Sequence, residues 1–196
     1  MVYEIAHFIQ NRLGFLWTGV ESVNSWLFSI RYRKNLKQIP NILKENSTRF
    51  NLVLPTTHDV EPLVTFFENQ PEDAYEYFRP HQFDKKTINK LVKRKSFVMF
   101  LVKDEEKIVG YAFIRSFFHG KGFLGKMVDV SSQGQGVGKL ICSVAMQICA
   151  SLPIRMFETI SKDNIASLKT SQNACDVTIV RELDHGYLYI EDKLKR

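Results

Sequence analysis

Apolar and polar positions fall into short, well-punctuated blocks along the 196-residue chain. Arg49 to Leu54 alternates as a strand does and is stopped by Pro55. Thr57-His58-Asp59 supplies a helix cap, with Pro62 inside the first turn and Val60, Leu63, Val64 and Phe67 at helical spacing. Gln70-Pro71 breaks that helix. A short helix over Glu72 to Phe78 is expected next, and Asp84 caps another through Ile88, Leu91 and Val92. Three strands follow: Ser96 to Lys103, Ile108 to Phe117 and Gly122 to Val130. The turns between them, Asp104 to Lys107 and the Gly120/Gly122 pair, are tight enough to make them antiparallel. A glycine-spaced loop then opens a helix near Gly136 that carries Leu140, Ile141, Val144, Ala145 and Ile148. The chain closes with a strand over Ile154 to Ser161, a helix begun at Lys162-Asp163-Asn164, and two antiparallel strands, Val177 to Leu183 and Gly186 to Ile190. Residues 47–196 therefore form an α/β (α+β) domain: a mixed, mostly antiparallel sheet of about seven strands flanked by helices.

Upstream, Val2, Ile5, Ile9, Leu13 and Leu16 repeat at helical spacing, and Val20, Val23, Leu27 and Ile30 do so after Gly19. Trp17, Trp26 and Phe28 add aromatic bulk, and Arg31, Arg33, Lys34 and Lys37 make a basic end. Residues 1–46 read as a helical appendage, with Pro40 to Ser47 as its linker. Such a face packs on the domain or on a second subunit, or lies at a membrane surface, where tryptophan and flanking cations belong. Neither a signal peptide nor a spanning segment is expected. Arg12, Glu21 and Arg31 interrupt the stretch, and the uncharged runs between them fall short of the ~20 residues needed to cross a bilayer.

Charge and cysteine usage narrow the chemistry. The net charge of +6 suits a small anionic ligand. No basic block or nucleic-acid module is visible, so nucleic acid is not an expected partner. Cys142, Cys149 and Cys175 are odd in number and lack metal-ligand spacing. This argues against disulfides and against a metal site, and for a reducing cytoplasm.

The stretch Val128 to Ile141 carries the strongest chemical signal. A strand, alternate glycines and a helix N-terminus present bare N–H groups and the positive end of a helix dipole, which is an anion site suited to phosphate or pyrophosphate. Gly138-Lys139 is followed by Leu140, so no magnesium-binding hydroxyl completes a Walker loop, and glycines spaced by two do not match the dinucleotide fingerprint. Gln133, Gly136 and Gly138 do fit Gln/Arg-x-x-Gly-x-Gly/Ala. The stretch thus resembles the pyrophosphate loop of the GNAT acyl-CoA N-acyltransferases, and the order of elements over 48–194 is similar to that family's fold.

The resemblance implies acetyl-CoA as cosubstrate. It implies pantetheine contacts at Lys126, Met127 and Val128, with Gln133 in the motif and phosphate contacts at Gly134, Gln135, Gly136, Val137, Gly138 and Lys139. It further implies a contact from Asn164 to the CoA arm, the same residue being a natural helix N-cap. In the family a Tyr often follows that Asn by seven residues and protonates the leaving thiolate; here Ser171 stands there. The family's occasional base carboxylate falls at Thr159, and strand alternation turns the neighbouring Glu158 to the opposite face.

Acyl transfer needs a neutral amine, hence a base, and backbone N–H donors for the oxyanion, expected around Val128 to Val130. The base candidates are His81, on the aromatic loop Tyr75 to Asp84, and Asp129 beside the phosphate loop; His119 is a further one. His81 needs no unusual pKa, whereas Asp129 needs a raised one. In that aromatic loop, Tyr77 and Phe83 could stack on a sugar or base and Arg79 could pair with a phosphate; the loop could equally be an aromatic plug over the sheet end. The loop, the appendage and the ending Gly186-Tyr187-Leu188-Tyr189-Ile190 are together similar to small members of the family from bacterial surface-polysaccharide loci. That similarity implies an amino-sugar amine as acceptor, on a nucleotide or lipid carrier. A peptide amine, and a CoA-binding module without turnover, are the other readings.

Overall fold

The computed structural model describes residues 14–195. The expected helical repeat of Val2, Ile5, Ile9 and Leu13, and His7 within it, lie outside them. Among the described residues, three helices precede the first strand: α1 (Gly14–Arg31), α2 (Arg33–Leu36) and α3 (Ile39–Asn46). The stretch expected as a linker is therefore α3. Pro40 is tolerated because the first turn of a helix leaves N–H groups unpaired anyway, and Ile39 and Leu43, one turn apart, are both buried.

Seven strands follow in one sheet: β1 (Asn51–Val53), β2 (Phe97–Asp104), β3 (Lys107–Phe117), β4 (Lys121–Val128), β5 (Arg155–Ser161), β6 (Asp176–Glu182) and β7 (Tyr187–Lys193). Their spatial order is β1-β2-β3-β4-β5-β7-β6. Helices α4 (Val60–Glu68) and α5 (Lys85–Val92) lie between β1 and β2, α6 (Val137–Ser151) between β4 and β5, and α7 (Ile165–Ala174) between β5 and β6. A 3-10 turn over Thr57–Asp59 leads into α4, whose N-cap is Asp59, and that turn carries its own cap. Thr56 accepts from His58 N at 3.2 Å while Asp59 accepts from Thr56 N at 2.8 Å, a reciprocal capping box. Glu72 to Phe78 is not a full helix; only Glu72–Tyr75 turns, as a 3-10 piece.

The central strands β2 and β3 are buried on both faces, and strand alternation sorts the side chains. Val98, Phe100 and Val102 of β2 join Phe28, Tyr32, Ile39, Leu43, Ile141, Val144 and Ile148 in one core. Phe97, Met99 and Leu101 join Leu63, Phe66, Phe67, Ile88, Leu91, Tyr111 and Phe113 in the other. Helices α1 and α3 thus contribute side chains to the same core as α6. The three cysteines are free and buried. Burial pushes the thiols of Cys142 and Cys175 up to about 11 and about 12, and moves Cys149 the same way.

One seam differs from the rest. All neighbours pair antiparallel except β4 and β5, which run parallel and share only Lys121↔Arg155, Gly122↔Met156 and Phe123↔Phe157. Beyond Phe123, β4 pairs with β3 alone as far as Val128, and beyond Phe157, β5 pairs with β7 alone. The sheet opens there as a V.

Candidate functional site

The open edge of β4 leads to a run of unpaired amides. Asp129 N donates to Val109 O at 3.0 Å, and a 3-10 turn over Val130–Ser132 follows. Gln133 N donates to Val130 O at 3.3 Å, and the next amide with a backbone acceptor is Leu140, donating to Gly136 O at 3.0 Å. Among the described residues, the N–H groups of Gly134, Gln135, Gly136, Val137, Gly138 and Lys139 have no acceptor. Gly134 and Gly136 hold φ of +74° and +86°, the left-handed region that a side chain disfavours. The run ends on the N-terminus of the fifteen-residue α6, so the amides and the dipole converge on one exposed spot. Arg49, not anticipated from the sequence, reaches this loop and donates to Gln135 Oε1 at 2.8 Å. Its position before β1 gave no hint of that, because the contact crosses 86 residues.

At the inner end of the V lies a cavity of about 1460 Å³. Phe123, Leu124 and Gly125 of β4 and Thr159 of β5 line it where the strands part. Tyr77, Arg79, His81 and His119 also line it, as do Val20, Val23, Asn24 and Leu27 of α1. The α1 wall was not legible in the sequence. Asn24 ties it down by donating to Ser116 O at 2.9 Å and accepting from Phe118 N at 3.0 Å. Glu21 on the same helix pairs with Arg94 and with Arg115 at 3.0 Å.

Two sequence expectations need correction here. Phe83 is not a cavity residue: its ring stacks on Phe67 at 4.2 Å between centroids and packs against Tyr75 and Phe78. The aromatic density of this loop is in that part a plug on the second core. Asp129 does not line the cavity either. Its carboxylate accepts from the N–H of Ser131 at 2.9 Å and from the Ser131 hydroxyl, and pairs with Lys107 at 3.3 Å. Burial pulls its pKa up, but the Ser131 and Lys107 contacts outweigh it and hold the carboxyl below the usual value, the opposite of what a general base needs.

His81 lines the cavity, and both of its ring nitrogens are engaged. Its Nδ1 lies 2.8 Å from Gln82 O and therefore carries the proton, leaving Nε2 to accept from the Tyr111 hydroxyl at 2.8 Å. Burial lowers its pKa, partly opposed by the Gln82 carbonyl and Asp84, so the ring is neutral at pH 7. The expected oxyanion donors are partly occupied: Asp129 N serves Val109 O, and Val130 N donates to Gln70 Oε1 at 3.3 Å. The open β4 edge nearer the vertex remains. Asn164 caps α7, accepting from Ser167 N at 3.0 Å.

Across the V, on the face under α7, the side chains of Lys126 and Glu158 meet in a buried ion pair. Ser171 Oγ donates to Glu158 at 2.7 Å and accepts from Lys126 at 3.1 Å. Thr159 faces the cavity and Glu158 does not, as alternation required. Burial alone would lower the Lys126 pKa, but the Glu158 charge raises it, so the ammonium is kept. Asp192, on β7 beside Glu158, is 2 % exposed and neither of its oxygens finds a donor among the described residues. Burial and the neighbouring Glu158 charge push its pKa up to about 8. The cluster packs one ammonium against two carboxyl groups, Glu158 paired with Lys126 and Asp192 holding its proton above the usual carboxylate range.

That stored proton has a measurable sign. Unfolded, Asp192 loses its proton near 3.8; folded, it keeps it to about 8. The folded state binds the extra proton between those values, so stability falls as pH rises through that window. Asp192→Asn should remove the slope and gain roughly 3–4 kcal/mol over wild type on moving from pH 5 to pH 8. Urea denaturation at both pH values reads this; parallel slopes would mean that Asp192 is ionised in the fold.

The sequence matches the model of the acetyltransferase (GNAT) family over residues 61–172. No curated protein matches it by sequence. Among solved structures it is similar to the paia N-acetyltransferase of Thermoplasma acidophilum in complex with coenzyme A, at 12% identity and a TM-score of 0.64, covering 76% of this chain and 100% of that one. It is also similar to yncA of Salmonella typhimurium with its cofactor acetyl-CoA, at 14% identity, TM-score 0.62 and 76% and 96% coverage. A third is the ribosomal-protein-S5-alanine acetyltransferase of Vibrio fischeri, at 16% identity, TM-score 0.60 and 75% and 93% coverage. The parted strands, the free amides and the family match agree: the chain belongs to the GNAT family of acetyltransferases, enzymes that use acetyl-CoA to acylate amines.

Proposed function

We propose that the protein acetylates the primary amine of an amino sugar on a nucleotide or lipid carrier. The observation that carries the acceptor class is the cavity lining. Tyr77, Phe117, Phe123 and Tyr187 offer ring faces for a sugar, and Arg79 and Lys90 offer cations for a carrier phosphate. At about 1460 Å³ the cavity exceeds the roughly 300–1,000 Å³ of ordinary ligand pockets, which leaves room for an acyl end and a sugar together.

In this reading the six amides from Gly134 to Lys139 grip the pyrophosphate. The pantetheine lies along the open edge of Lys126, Met127 and Val128, bonding main chain as an added strand does. The amine nitrogen attacks the thioester carbon, and its proton passes to His81 Nε2 as the Tyr111 hydroxyl gives way. N–H groups on β4 near the vertex hold the oxyanion. The C–S bond then breaks and CoA leaves as a thiolate. Asn164 borders the CoA arm from the start of α7, and a reducing compartment such as the cytoplasm fits the free thiols.

Thiol release from acetyl-CoA, measured across nucleotide amino sugars, lipid-carried amino sugars, peptides and polyamines, tests the acceptor. Turnover confined to the sugar amines is the expected result. A preference for peptides would move the acceptor to protein termini, and tight CoA binding with no turnover anywhere would favour a binding module. Gly136→Val tests the loop separately. A β-branched residue at φ +86° strains or reshapes the turn by about 1–2 kcal/mol, and CoA affinity by calorimetry should fall roughly tenfold or more.

A further inference from the structure

Helix α1 is apolar on two faces, and the sheet accounts for one of them. On the inner face Phe28 is fully buried, Asn24 bonds the end of β3, and Glu21 is held by Arg94 and Arg115. On the outer face Val20, Val23, Trp26 and Ile30 are each more than half exposed. They recur at steps of three, three and four residues and so make one stripe along the helix. Single exposed apolar side chains are ordinary, but four aligned on one helix with a tryptophan among them mark a contact surface.

The surroundings say what kind. Exposed Arg31, Arg33, Lys34 and Lys37 continue from the C-terminal end of the stripe. Exposed Lys90, Lys93 and Lys95 flank Trp26 in a shallow depression that they share with Arg94. Glu21, the one carboxylate on α1, is turned inward and neutralised. A second copy docked on this face would bring cation against cation. An apolar stripe with tryptophan, rimmed by cations, instead matches the boundary of an anionic bilayer, apolar a few ångströms down and negative at its surface. No described helix is long and apolar enough to cross a membrane, so the contact lies in the interface plane.

We infer that the outer face of α1, through Val20, Val23, Trp26 and Ile30 with its rim of Lys and Arg, seats the protein on anionic lipid. Val20, Val23 and Leu27 also line the cavity, which places its mouth against that surface. Docking itself does not depend on which acceptor the cavity takes.

The test is co-sedimentation of the full chain with vesicles of phosphatidylcholine alone and of phosphatidylcholine with phosphatidylglycerol. The wild type should pellet with the anionic vesicles, several-fold less in high salt, and Trp fluorescence should shift to the blue on binding. Trp26→Glu with Ile30→Glu changes only exposed positions, so the melting temperature should hold while partitioning falls about tenfold or more. Lys93→Glu with Lys95→Glu should weaken the salt-dependent part. Wild-type protein left in the supernatant with every vesicle, or a Trp26/Ile30 variant that binds as well as wild type, would overturn the inference. So would a wild-type dimer that the variant converts to monomer without any vesicle binding, which would assign the stripe to a second copy.

Discussion

Lys126→Met is expected to lower the unfolding free energy by roughly 3–5 kcal/mol, because it strands the Glu158 carboxylate without its cation in the interior. The Ser171 hydroxyl alone cannot replace an ammonium there. The double variant Lys126→Met with Glu158→Gln should recover most of that loss, since it removes both charges and leaves an amide that Ser171 can still satisfy. Urea denaturation of the wild type, both singles and the double forms the cycle. Equal losses in the single and double variants would mean that the pair contributes through packing, not charge. The pair also spans the opening between β4 and β5, so the singles should loosen CoA binding more than a remote core variant of equal destabilisation would.

His81→Ala is expected to cut kcat by about 10²–10³-fold while changing the KM for acetyl-CoA little. The pH profile separates chemistry from packing. Burial lowers the His81 pKa from 6.5, so the wild-type acid limb should fall below that value, where Nε2 becomes protonated and can no longer take the amine proton. In the Ala variant this limb should vanish, leaving only the titration of the amine. Tyr111→Phe removes the hydroxyl that occupies Nε2 and should retain turnover. Wild-type kinetics in the His81 variant would leave amine deprotonation to solvent.

Much of the architecture was readable because local rules decide it. Alternation in β2 and β3, the tight turns flanking β3 and the glycine-spaced approach to α6 are short-range features with short-range causes. The same holds for Asp84 and Asn164 as caps. Features that failed or stayed hidden are settled by tertiary partners. Pro40 looked like a connector until Ile39 and Leu43 are seen to share a core with α6. Phe83 and Tyr77 look alike in sequence, yet one stacks on Phe67 and the other lines the cavity. Alternation assigned Glu158 to the right face, but nothing local announces that Lys126, Ser171 and Asp192 meet it there.

The buried cysteines bear on how turnover can be followed. With all three thiols sealed in the core and their ionisation suppressed, the native protein should consume almost none of an aromatic disulfide reagent over an assay. Colour released from such a reagent then counts free coenzyme directly, and a sudden rise with heat or urea reports the interior opening to solvent.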